Sequence, residues 1–162
     1  MYPQQRHLKR QRRRIDMNLL FVCLGNICRS PMAAGIMQRI YEAENLQGKI
    51  ESCGTMDWNV GNCADPRAIS VARANGIDLS THRARQITIE DFERFDIIFA
   101  MDSANEIALR KLAPSAHKHK IRLIGGSFEV LDPYHSNEAA FRETYNALDE
   151  FCRLAVRAGF KA

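Results

Sequence analysis

The sequence predicts an α/β domain of three layers, a four-stranded parallel sheet flanked by helices on both faces. Three observations predict it. Four short apolar runs of strand length alternate with longer segments of helical periodicity, the pattern of a covered parallel sheet. The helical segments begin or end on recognisable caps and breakers. The chain has 162 residues, 46% hydrophobic and 26% charged, which suits one ordinary globular domain.

Residues 18–22 form the first apolar run, too short for a helix and read as a buried strand. A helix follows over about 30–44, with Met32, Ile36, Ile40 and Tyr41 at helical spacing. Ser30 is read as its N-cap and Pro31 as its first helical residue. The second strand covers 49–52 and runs into Gly54-Thr55. Asp65-Pro66 repeats the cap-then-proline signal and opens a helix that Asn75-Gly76 stops. Thr88 to Asp91 begins a short helix, and 96–101 is the third strand. Ser103-Ala-Asn-Glu106 reads as a capping box for a helix ending before Pro114. Residues 120–124 make the fourth strand, closed by Gly125-Gly126, and an amphipathic helix over 137–158 completes the domain.

Charge divides the chain at residue 16. Residues 1–16 carry six Arg and Lys against Asp16, a sum of +5, which leaves −1 for 17–162 out of the total of +4. The domain proper is therefore 17–162, and 1–16 is read as a basic, disordered extension, or as sequence upstream of a start at Met17. A basic run can touch nucleic acid or anionic lipid. The bland reading is preferred, with neither taken as a partner. No apolar run reaches the roughly 18 residues of a membrane span, and no signal-peptide core follows the basic start. A cytoplasmic location is the expectation. Five cysteines (23, 28, 53, 63 and 152) without a secretory signal argue against a disulfide framework, and the lack of a C-x₂-C pair argues against zinc. No metal and no cofactor is expected.

The chemistry concentrates in Cys23-Leu24-Gly25-Asn26-Ile27-Cys28-Arg29-Ser30. Strand, tight loop and helix start in succession present backbone N–H groups to an anion, so this is read as a phosphate-binding loop after the first strand. Such sheets hold ligands at the carboxyl ends of their strands. A cysteine at the head of the loop meets the field of the helix N-terminus and of Arg29, which favours the nucleophilic thiolate. Arg29 can fork onto two phosphate oxygens, and Ser30 can donate a hydrogen bond to the Cys23 sulfur. Displacing an alkoxide or phenoxide from phosphorus needs a proton, and Asp132-Pro133-Tyr134, a turn tripeptide, is the best source.

These residues, with Gly54-Thr-Met-Asp-Trp-Asn-Val-Gly61, Ala64-Asp-Pro-Arg-Ala68, Arg83-Ala-Arg-Gln-Ile87 and Met101-Asp102 in the same order, resemble the low-molecular-weight protein tyrosine phosphatases from about Met17 onward. The resemblance implies metal-independent hydrolysis of phosphotyrosine in two steps. Cys23 would form a phosphocysteine, Arg29 and the amides of 24–29 would hold the phosphoryl oxygens, and Asp132 would act as acid and then base. It also implies that Asn26, Ser52 and His82 brace the loop and that Trp58 and Tyr134 wall the cleft. Asp65 and Asp102 match acidic positions near the site, with no chemical step assigned. Isoleucine at position 27, where threonine accompanies phosphoarginine preference in the family, favours phosphotyrosine. Cys28 matches a second loop cysteine, implying a reversible Cys23–Cys28 disulfide under oxidants. Phosphotyrosine proteins would be the partners, with aryl phosphates as substrates in vitro and inorganic phosphate or vanadate as inhibitors.

Two departures stand out: Ala34 where glutamate is usual, and His135 where a second aromatic is common. A thiol-dependent arsenate reductase and a non-catalytic phosphotyrosine binder are the rival readings. The first lacks an obvious resolving-cysteine segment, and the second sits poorly with Cys23, Arg29 and Asp132 all retained.

Overall fold

Leu19–Cys23 forms strand β1 at the centre of the sheet and is buried along its whole length in the computed structural model, which describes residues 16–161. Parallel partners lie on both sides: β2 (Ile50–Gly54) on one, and β3 (Ile97–Ala100) then β4 (Ile121–Leu123) on the other. The order is β2-β1-β3-β4. Helices α1 (Arg29–Glu44), α2 (Pro66–Ala74), α3 (Asp91–Arg94), α4 (Ser103–Leu112) and α5 (Glu138–Arg157) complete the layers.

Successive side chains of β1 point to opposite faces, so one strand feeds two cores. Leu19, Phe21 and Cys23 join Met32, Ile36, Met37, Phe141 and Leu148 beneath α1 and α5. Leu20 and Val22 join Phe92, Phe95, Ile98 and Leu109 beneath α3 and α4. Burying each large side chain contributes about 1.5–3 kcal/mol, which is why β1 reads as a continuous apolar run and not as an alternating one. All four strands run the same way, so their carboxyl ends, including Cys23, open on one edge of the domain.

The expected elements are present, with three local corrections. Ser30 is not the N-cap of α1: the helix starts at Arg29, and its Cys28 cap position makes no side-chain cap bond. The Ser30 hydroxyl is engaged instead with the Cys23 Sγ at 3.0 Å and the Cys53 carbonyl at 3.3 Å. Asp102, not Ser103, caps α4, accepting from the Asn105 N–H at 2.8 Å from an extended backbone. Ser103 turns to the Glu129 carboxylate. A 3₁₀ segment, Ser115–Lys120, precedes β4 and includes Lys120, which the sequence reading placed at the start of the fourth strand. Asp65 caps α2 as expected, and Asn137, read only as the start of the last helix, caps α5. The basic extension lies outside the described residues, except for Asp16, which accepts from the Gln47 N–H at 3.2 Å. Among the described residues, no helix is long and apolar enough to cross a membrane.

Candidate active site

Between β1 and α1 the loop 23–28 turns all its carbonyls outward. The Cys23 and Leu24 carbonyls accept from the N–H groups of Thr55 and Met56 at 2.9 and 3.1 Å. Gly25 O accepts from Asn59 Nδ2 at 3.3 Å, Asn26 O from the His82 ring at 2.7 Å, and Ile27 O from the Asp65 N–H at 2.8 Å. The Cys28 carbonyl accepts from Met32 N–H at 3.4 Å. With the carbonyls committed outside, the N–H groups face the loop interior. Those of Leu24, Gly25, Ile27 and Cys28 meet no backbone acceptor among the described residues. Inward N–H groups at an uncapped helix start form an anion cradle. Gly54 permits the close approach of β2: a Cβ there would lie 2.8 Å from the Leu24 carbonyl oxygen.

Asn26 is the buried hub behind the cradle. Its backbone takes the left-handed conformation (φ +56°), a conformation asparagine tolerates, and its N–H donates to the Cys23 Sγ at 3.3 Å. Its amide donates to Ser30 Oγ at 2.8 Å and Ser52 Oγ at 2.9 Å and accepts from the Arg85 N–H at 3.0 Å. The His82 ring, bonded to a carbonyl that can only accept, carries its proton on Nε2, and burial keeps it from charging, lowering its pKa. Arg85 is anchored in turn on Asp91 and Glu51 at 2.8 and 3.0 Å. Burial alone would raise the Asp91 pKa, but hydrogen bonds from Arg85 and Thr88 hold this carboxyl below its usual range.

Arg29 is buried and points its guanidinium along the cradle. Its Nη1 donates to Asp102 Oδ2 at 2.6 Å and to the Val130 carbonyl at 2.9 Å. Nη2 lies 3.5 Å from Asp132 Oδ2. The fixed Asp102 contact orients the head, leaving its Nε and Nη2 edge toward the cleft. Asp132 sits on a turn beyond β4, its side chain 41% exposed, with Oδ1 accepting from the Tyr134 N–H at 3.1 Å.

One cleft of about 210 Å³ unites Cys23, Leu24, Gly25, Ile27, Cys28 and Arg29 with Trp58, Asp132 and Tyr134. Trp58 is 65% and Tyr134 45% exposed, so both keep open faces at the mouth. Asn26, Ser30, Ser52 and His82 do not line the cleft but stand behind it. His135, read from sequence as a polar departure on one wall of the cleft, does line it; sequence reasoning missed Asn59 as part of the wall, Asp102 as the partner of Arg29, and any contact of Arg67 with the Asp132 turn. The position of Asp102, just past the carboxyl end of β3, was the available signal. All five cysteines are free. Burial, then the Asp65 charge, push the Cys28 thiol well up, so it rests as a neutral thiol beside the cradle.

Residues 18–158 match the family model for low molecular weight phosphotyrosine protein phosphatases. The chain is 40% identical to the protein of that name from Schizosaccharomyces pombe over 152 residues, covering 88% of this chain and 97% of the relative. The Sus scrofa protein is 38% identical over 148 residues, covering 86% and 93%. Among solved structures, a protein tyrosine phosphatase from Entamoeba histolytica with Hepes in its active site matches with TM-score 0.82 and 34% identity, over 89% of this chain and 99% of that one. Wzb of Vibrio vulnificus in complex with benzylphosphonate matches with TM-score 0.79 and 29% identity, over 89% and 99%.

Proposed function

The chain belongs to the low molecular weight phosphotyrosine protein phosphatase family, and from that premise we propose that Cys23, Arg29 and Asp132 carry its hydrolysis of phosphotyrosine. The observation that carries the assignment is the inward-facing amide cradle with the Cys23 sulfur at one side, Arg29 along it and a carboxyl on the opposite wall. In the first step the thiolate attacks phosphorus. An S–P bond forms, the P–O bond breaks, and the departing phenolic oxygen takes its proton from Asp132. In the second, the Asp132 carboxylate takes a proton from water as that oxygen attacks phosphorus, and the S–P pair returns to sulfur. Ser30, 3.0 Å from Sγ, donates to the thiolate and eases its departure. Amides and Arg29 supply the positive field for the transferred group.

Trp58 and Tyr134 offer aromatic faces to a phenyl ring, and Ile27 at the cleft presents alkyl surface with no acceptor for a guanidinium; both support phosphotyrosine over phosphoarginine. Phosphotyrosine proteins are then the substrates, aryl phosphates serve in vitro, and phosphate or vanadate compete for the cradle. Residues 17–162 act as one phosphatase domain in a reducing, cytoplasmic setting, which keeps Cys23 a thiol. An oxidant that converts Cys23 to the sulfenic acid lets Cys28 condense with it, releasing water and leaving a disulfide that a thiol reverses.

Turnover of an aryl phosphate at about pH 5–7 tests the reading, with Asp132→Asn expected to cost about 10²–10⁴-fold and poor leaving groups suffering most. Cys23→Ser should abolish turnover, and addition of a chelator should not. A serine variant working at the wild-type rate would overturn the mechanism.

A further inference from the structure

Arg67, the second residue of α2, takes no part in the steps above, yet it ties the two walls of the cleft together. Its guanidinium forks onto Asp65, Nε to Oδ1 at 3.0 Å and Nη2 to Oδ2 at 2.9 Å. The same head reaches across to the Asp132 turn. Nη2 donates to the Tyr134 carbonyl and Nη1 to the Ser136 carbonyl, each at 2.9 Å. It lies over the Phe141 ring, 4.4 Å from the centroid, and 5.8 Å from that of Tyr134. On the other side, the Asp65 N–H donates to the Ile27 carbonyl of the cradle at 2.8 Å.

The two carbonyls Arg67 holds belong to the residues that shape the turn. Tyr134 gives its N–H to Asp132 Oδ1 at 3.1 Å, and Ser136 gives its N–H to the Pro133 carbonyl at 2.9 Å. Each donates inward and accepts from Arg67 outward. Beyond these bonds, the Asp132 carboxylate has only the 3.5 Å approach of Arg29 among the described residues. A lysine could not serve, since one ammonium cannot fork onto a carboxylate and span two carbonyls at once.

We propose that Arg67 is a positioning residue, clamping the Tyr134 and Ser136 carbonyls to Asp65 so that Asp132 stands over the cradle for proton transfer. This rests on the reading of Asp132 as the proton donor. A misplacement of about 1 Å at such a group costs about 10²-fold in rate.

The test is a double-mutant cycle read through two leaving groups. Arg67→Ala and Arg67→Lys are each made alone and with Asp132→Asn, and kcat/KM is measured on phenyl phosphate and on p-nitrophenyl phosphate. Both single variants should lose about 10–100-fold on phenyl phosphate and less than about threefold on p-nitrophenyl phosphate, whose phenol leaves with little help. Inhibition by inorganic phosphate should stay within about twofold, marking an intact cradle, and Arg67→Ala should add less than about twofold to Asp132→Asn. Equal losses on both substrates, multiplying in full with Asp132→Asn, would overturn the proposal, as would a Lys variant at the wild-type rate. Should the Ala variant not fold, Arg67→Lys completes the cycle alone. The reading of Asp132 fails separately, if Asp132→Asn by itself loses no more on phenyl than on nitrophenyl phosphate.

Discussion

The loop around Cys23 and the turn around Asp132 face each other across one cleft and are held in opposite ways. The loop is braced from β2, the 55–65 segment, His82 and α1, with every carbonyl from 23 to 28 bonded and its hub, Asn26, fully buried. The turn lies on the surface, its carboxylate partly exposed and its backbone fixed across the cleft by the one guanidinium of Arg67. The difference follows the chemistry. An anion site must be set before substrate arrives, because amide dipoles that reorganise lose their catalytic advantage. A proton donor that also admits water in the second step has to keep solvent access.

Arg29 belongs to both regions, so changing it should have the largest effect. Arg29→Lys loses the fork as well as the orienting contact to Asp102, and kcat/KM should fall about 10²–10³-fold. Steady-state kinetics checks this; a loss under tenfold would mean the cradle amides suffice alone.

Asn26→Ala separates the regions. It strands Ser52, Ser30 and the Arg85 N–H from their partner and puts alanine, which tolerates the left-handed region less well than asparagine, at φ +56°, so about 2–4 kcal/mol of stability should go together with activity. Asn26→Gly should recover only the backbone part, about 1 kcal/mol. Asp132→Asn, on the exposed turn, should lose activity with little change in Tm. Thermal melts beside activity assays decide it, and equal destabilisation by both would erase the contrast.

The smallest effect concerns pH. Burial holds the His82 pKa below its unfolded value, so the unfolded chain binds the extra proton first as pH drops below about 6.5. The stability this neutral ring contributes is present above that pH and lost as pH falls toward the folded pKa. Urea midpoints between about pH 7.5 and 5 should therefore decline less steeply for His82→Gln than for the unaltered chain. An identical slope would show that His82 is not carrying the term.

The same contrast explains what could be read from the sequence. The cradle is local, eight consecutive residues at a strand–helix junction, and so the sequence brought Cys23, Arg29 and Ser30 together in one loop as legibly as it marked the four strands. Ser30 was read both as a helix cap and as a donor to the Cys23 sulfur because the two roles need the same residue type, and the folded direction of its hydroxyl selects the second. Asp102 and Arg67 act across 73 and 67 residues of chain, through contacts that periodicity does not encode. The Asp-Pro-Arg at 65–67 did carry a faint local sign, since an aspartate cap and an arginine two residues on can form the fork seen here.

In the proposed mechanism phosphate passes through the sulfur of Cys23. Rapid quenching of p-nitrophenyl phosphate turnover, followed by peptide mapping, tests it most directly. A burst of nitrophenol approaching about one per chain is expected, with phosphate bound to the peptide containing Cys23, and both should be absent in Cys23→Ser. Steady turnover with no burst and no protein-bound phosphate, or phosphate on any other residue, would contradict it.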